Sequence, residues 1–163
     1  PRRFGKKLDT ARTGEIIKTS PKLAEPRVRM LEIKDKTSQK LRIEEADVIV
    51  SVGRGLKKKE DLELIASLAK VLGGALGCSR SVAADLKWLP EEHWVGLSGH
   101  KVKPKLYIAI GISGQVQHIA GIRDSKTIIA INNDPNAPIF KACDYGIVGD
   151  LYEIVPRLIE ILQ

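Results

Sequence analysis

From Asp47 onward the chain alternates short β-branched runs with stretches of helical periodicity, and most of the runs end in glycine, serine, asparagine or aspartate. Strands buried on both faces read as continuous apolar runs, whereas strands half open to water alternate apolar with polar residues. The pattern therefore predicts an α/β fold, a parallel sheet with helices on both faces. Asp47 to Val52 reads as the first strand and leads into Gly53-Arg54-Gly55. Residues 60–72 place Leu62, Ile65, Ala66, Leu68, Ala69 and Leu72 at helical spacing before Gly73-Gly74 stops the helix. Ala75 to Cys78 is a second strand, and Ser79 to Leu86 a short helix. Leu106 to Ile110 is a third strand, which turns through Gly111-Ile112-Ser113-Gly114 into a helix ending near Gly121. Thr127 to Asn132, a helical turn over Ala137 to Ala142, Tyr145 to Val148 and a helix over Asp150 to Leu162 complete the series. In such a sheet ligands bind beyond the carboxyl ends of the strands, where the polar strand ends converge.

Residues 1–45 have a different texture: Arg, Lys, Pro and Thr with short apolar stretches and no large apolar face. Within them Val28 to Ile33 alternates as a strand would. The segment is expected to be a linker or the remnant of a preceding domain, with the main domain over residues 46–163. Because the chain begins at Pro1, a cut or processed piece of a larger polypeptide is expected.

Charge follows the same division. Of the net +7, residues 1–59 hold 17 Lys+Arg against 8 Asp+Glu, and residues 60–163 hold 10 against 12. Aromatic residues make up 4%, too few to interleave the cations as single-strand nucleic-acid surfaces require. No nucleic-acid partner is expected. No apolar run approaches the roughly 20 residues of a membrane-spanning helix, so no membrane insertion is expected, and the protein should be intracellular. Cys78 and Cys143 lie far apart without CxxC spacing, which points to small core residues rather than a disulfide or a zinc site.

The strongest local signal is the glycine turn from Ile110 to His118. A buried strand that turns through glycines into a helix aims backbone N–H groups at what lies beyond, and phosphate is their natural guest. The turn is neither a Walker motif nor GxGxxG, so a plain strand-to-helix turn remains the alternative. Arg54 and Arg80 each follow a strand beside small residues, where a guanidinium can fork onto phosphate or lie against a ring. Asn132 and Asp150 also follow strands; Asp150 is equally suited to capping the last helix. His118 can face a ligand or the core, His93 and His100 read as surface residues, and Lys57-Lys58-Lys59 reads as a solvated run. No catalytic motif is present, which suits a cofactor that carries its own chemistry.

Several stretches in order resemble the C-terminal FAD-binding domain of the electron transfer flavoprotein alpha subunit, a family that includes the FixB-type proteins. They are Val52 to Lys57, Ser79-Arg80, Val95 to Gly99, Pro104 to Asn132, Asp134 to Phe140 and Asp144 to Leu151. The resemblance implies a Rossmann-like, DHS-like FAD/NAD-binding fold over residues 46–163. It implies FAD contacts at Arg54, Ser79, Arg80, Val95, Gly96, Leu97, Ser98, Ser113, Gly114, Gln115, Val116, Gln117, His118, Asn132, Asp150 and Leu151. By the same resemblance Ser98 faces flavin N5, and Arg80 and His118 lie by the ring and favour its anionic reduced forms. The Ser113 turn serves the pyrophosphate, and Asn132, Asp150 and Leu151 lie towards the adenosine. Many relatives have glutamine at Leu97 and lysine at Asn133. They also carry a large N-terminal domain that contacts a beta subunit, of which residues 1–45 are only a part.

The expected function is that of an electron carrier rather than an enzyme: a heterodimer with the beta subunit, taking electrons from acyl-CoA or other dehydrogenases or an NADH-linked donor and passing them to an acceptor redox protein. The expected compartment is the cytoplasm in a prokaryote, or the mitochondrial matrix in a eukaryote. The alternatives are an NAD-binding oxidoreductase domain and a cofactor-free subunit-interaction domain.

Overall fold

The structure, a computed structural model, describes residues 14–15, 17–20 and 42–163. The expected strand over Val28 to Ile33 lies outside the described residues. The chain divides after Ser38, and the second unit is Gln39–Gln163.

Five strands form one parallel sheet: β1 (Val48–Val52), β2 (Ala75–Cys78), β3 (Leu106–Ile110), β4 (Ile128–Asn132) and β5 (Tyr145–Val148). Their spatial order is β2-β1-β3-β4-β5. The chain runs outward from β1 to β2, returns past β1 to β3, and then proceeds in the opposite direction. The order is the flavodoxin-like one, and its switch point lies between β1 and β3.

Alternation along the strands fills two cores. Val50, Val52, Ile108 and Ile110 face helix α1 (Leu62–Val71) and helix α3 (Leu151–Leu162). Ile49, Tyr107, Ala109, Ile128 and Ala130 face the other way, onto Ile122 of helix α2 (Val116–Ile122) and onto Ile139 of the 3₁₀ turn Pro138–Lys141. Both faces of the sheet's centre are covered, as the continuous apolar runs require, whereas the edge strand β5 is exposed along its length. Ile43 and Ala46 are buried within this second core, so the core includes residues that precede β1.

The helix ends follow from local chemistry. At the end of α1 the Gly74 amide donates to the Ala69 carbonyl at 2.8 Å and the Gly73 amide to Lys70 at 3.1 Å, with Gly73 at φ 63°. This is the Schellman arrangement that Gly-Gly permits. Asp150 caps α3, its carboxylate accepting from the Tyr152 amide at 2.8 Å. The expected helix after β2 is a π-helical turn, Ser81–Asp85, closed by the Leu86 amide on the Ser81 carbonyl at 2.9 Å.

His93 and His100 are half-buried rather than free on the surface. His93 Nδ1 lies 2.6 Å from the Leu76 carbonyl oxygen, and His100 Nδ1 lies 2.6 Å from Glu44 Oε1. With the Cys78–Trp94 bridge, the His93 contact covers the outer edge of β2. Cys78 is fully buried, and burial pushes its thiol up to about 12, which leaves it unreactive. Cys143 is only half-buried. No described helix is long and apolar enough to cross a membrane.

Candidate functional site

At the switch point the backbones after β1 and β3 nearly touch. The Gly53 amide donates to the Ile110 carbonyl at 2.9 Å and the Gly55 amide to Gly111 at 3.0 Å. A Cβ at Gly55 would stand 2.6 Å from Gly111 Cα, and Gly111 itself sits at φ 57°. Only glycine allows this approach. Above it opens a cleft of about 700 Å³, within the range of cofactor pockets.

One wall is the turn over Ser113. Its shape is set from behind: the Ile139 amide donates to the Ser113 carbonyl at 3.0 Å, and Gly114, at φ 82°, leaves no room for a Cβ, which would stand 2.4 Å from Ile139 N. With the turn fixed, the amides of Ser113, Gly114 and Gln115 donate to no acceptor among the described residues. Adjacent N–H groups left open at such a turn make a concavity suited to an anion.

Opposite them, Arg54 follows β1 and Arg80 follows β2. Both line the cleft, are exposed, and have no hydrogen-bond or ion-pair partner among the described residues. Ser79 Oγ is 2.9 Å from Ser81 Oγ. The loop Val95 to Ser98 forms the third side. Val95 N donates to the Cys78 carbonyl at 2.9 Å, and Leu97 N to the Gln117 carbonyl at 2.8 Å, tying the loop to both β2 and α2.

Of the sixteen expected contact residues, fifteen line this cleft. The exception is Val116, 77% exposed at the start of α2 and off the cleft wall. Asn132 is buried at the cleft and serves the scaffold as well: its Nδ2 donates to the Ile112 carbonyl at 2.9 Å, and its Oδ1 accepts from the Asp134 amide at 3.0 Å.

His118 lines the cleft from a buried position. It is 7% exposed, and burial lowers its pKa from 6.5 to about 4, opposed only in part by a hydrogen bond to the Val95 backbone. The imidazole is neutral at pH 7, so the positive charge at the cleft comes from Arg54, Arg80 and Lys57. Reading from sequence missed Trp94, Asp85, Lys57 and Tyr152, which also line the cleft. Lys57 is less free than a solvated run implies: its amide donates to Tyr152 Oη at 2.8 Å and its Nζ lies 4.8 Å from that ring's centroid. The Tyr152 hydroxyl donates to Asp61 in turn.

A parallel α/β domain with amides and two guanidiniums, unpartnered among the described residues, at the carboxyl edge of its sheet has the make-up of a domain that binds a phosphate-bearing cofactor. The sequence matches the electron transfer flavoprotein FAD-binding domain family over residues 42–123, and the chain belongs to that family. It is 48% identical over 157 residues to the electron transfer flavoprotein subunit alpha of Thermoanaerobacterium thermosaccharolyticum, a match covering 95% of this chain and 47% of that protein. It is 44% identical over 154 residues to Protein FixB of Escherichia coli O139:H28, covering 94% of this chain and 49% of that one. The chain thus spans about half the length of the curated relatives it matches.

Proposed function

We propose that the cleft holds one FAD and that the domain carries electrons between redox proteins without catalysing bond cleavage. The observation that carries this reading is that three amides, Ser113 to Gln115, and the guanidiniums of Arg54 and Arg80 meet in one cleft without a partner among the described residues. Bound FAD would supply the electron-accepting chemistry itself. The amides and the Ser113 hydroxyl would receive the pyrophosphate, and Asn132, Asp150 and Leu151 would hold the adenosine end. Arg80, Ser98 and His118 would flank the ring. Arg80 stabilises negative charge more than it stabilises a neutral ring, and so raises the tendency to accept an electron. The neutral His118 contributes a dipole and shields its side of the ring from water.

The family membership supports a beta subunit as partner. It likewise supports a dehydrogenase donor and an acceptor redox protein, and the bacterial relatives support a cytoplasmic setting. Titration with FAD, FMN and NAD, followed by flavin fluorescence and by calorimetry for NAD, tests the assignment. One FAD per chain is expected, with FMN weaker for want of an adenosine. Stoichiometric NAD with no flavin uptake would replace this reading with that of a nicotinamide domain.

A further inference from the structure

Tyr107 in β3 is fully buried, yet it carries a hydroxyl that the cofactor reading does not use. Its Oη lies 3.0 Å from His118 Nε2, and the two rings sit 6.0 Å apart, tilted by 57°. A second buried hydroxyl, Ser51 Oγ on β1, is near enough to lower the phenol's pKa but makes no hydrogen bond of full geometry with it. Burial is the larger influence and keeps the phenol protonated. Its hydrogen must therefore be placed on an acceptor or stay unsatisfied in a dry site.

His118 determines where it goes. Among the described residues the phenol's one hydrogen-bond partner is His118 Nε2, since Ser51 Oγ makes no hydrogen bond. A phenol that accepted from Nε2 would bury its own hydrogen unpaired, so the hydrogen points at Nε2. A neutral imidazole has a single N–H. With Nε2 as acceptor, that N–H falls on Nδ1.

We propose that Tyr107 is a positioning residue for His118: by donating to Nε2 from the floor of the sheet it fixes the imidazole as the Nδ1–H tautomer and sets the ring's orientation at the cleft wall. The donor is rigid, because it is anchored in a central strand. What His118 presents to the cleft is then the edge of a neutral ring of set polarity. Only this last consequence, for a bound flavin, rests on the cofactor reading.

The tautomer is read directly by ¹⁵N–¹H correlation NMR of the His118 ring in the ligand-free chain. The wild type should show Nδ1 as the proton-bearing nitrogen and Nε2 as the acceptor. Tyr107→Phe, which removes only the hydroxyl, should shift the population towards Nε2–H or mix the two forms. Ser51→Ala should leave the His118 pattern as it is. A wild type dominated by Nε2–H overturns the proposal, and so does Tyr107→Phe with unaltered His118 nitrogen shifts. A Ser51→Ala that changes the pattern assigns the phenol's hydrogen to Ser51 and also overturns it. If Tyr107→Phe fails to fold, the wild-type and Ser51→Ala spectra decide alone.

Loaded with FAD, Tyr107→Phe should change the first-electron equilibrium about fivefold, the scale of one neutral hydrogen bond. No change there, with the tautomer altered, removes the consequence for the flavin. Failure of the wild type to take up FAD counts against the cofactor reading alone and leaves the ligand-free result standing.

Discussion

Arg80 and His118 are expected to flank the same ring, but the fold gives them opposite electrostatic characters. Arg80 is exposed and unpaired among the described residues, so its charge is available to a ligand. A hydrogen bond involving a charged group contributes about 1.5–3 kcal/mol. Arg80→Ala should therefore lower the first-electron potential of bound FAD by roughly 60–130 mV, at about 59 mV per tenfold for one electron. Spectroelectrochemical titration checks this; retained flavin with an unchanged potential would remove Arg80 from the ring's neighbourhood. His118 should instead be visible in stability. Its folded pKa, about 4, lies below the ordinary 6.5, so between those values the unfolded chain binds the proton and the folded chain does not. Its contribution is whole above pH 6.5 and falls as pH drops towards 4, by up to about 3 kcal/mol. Urea denaturation across that window should show a steeper loss for the wild type than for His118→Gln. Equal slopes would mean that the imidazole is not held neutral.

Two local devices carry the geometry of the elements. Gly114 shapes the Ser113 turn at a positive φ and against Ile139, so Gly114→Ala should cost more than about 1 kcal/mol through backbone strain alone. It should also weaken FAD binding, because the free amides move with the turn; a chain of wild-type stability and affinity would show that the turn is not fixed from behind. Asp150→Ala removes the cap of α3 and should cost about 1 kcal/mol in urea denaturation. Most of the strands were legible because they are compact β-branched runs that lead into glycine or a polar residue, and β2, Ala-Leu-Gly-Cys, because it stands between Gly73-Gly74 and Ser79. β3 and β5 have the expected bounds, while β1 and β4 begin one residue later than expected. The turn after β2 was not legible as a π-helix, because its i to i−5 closure is followed by Lys87 at φ 54°, and no periodicity signals that conformation. Tyr152 and Lys57 escaped for another reason: they meet across 95 residues of chain, and only the packing of α3 against α1 joins them. The neutrality of His118 likewise depends on burial behind a strand residue, Tyr107, which the sequence offered only as part of an apolar run.

Every described residue that lines the cleft lies between Gly53 and Tyr152. The cradle of the second unit is therefore predicted to hold FAD without the basic front segment. Removing residues 1–38 should leave FAD affinity within about tenfold, roughly 1.4 kcal/mol. Cutting at residue 45 instead also removes Ile43 from the second core and should cost about 2–5 kcal/mol of stability, as large-to-small core changes do. Thermal unfolding of the two truncations separates these effects, and equal stability would contradict the packing of Ile43. Whether this cleft is built for FAD is measured most directly by FAD stoichiometry and affinity for the full chain beside Arg54→Ala/Arg80→Ala. One FAD per wild-type chain is predicted, with binding weakened at least tenfold in the double variant. A wild type that takes up no flavin with Arg54, Arg80 and Ser113 intact, or a double variant that binds FAD as tightly as the wild type, would contradict it.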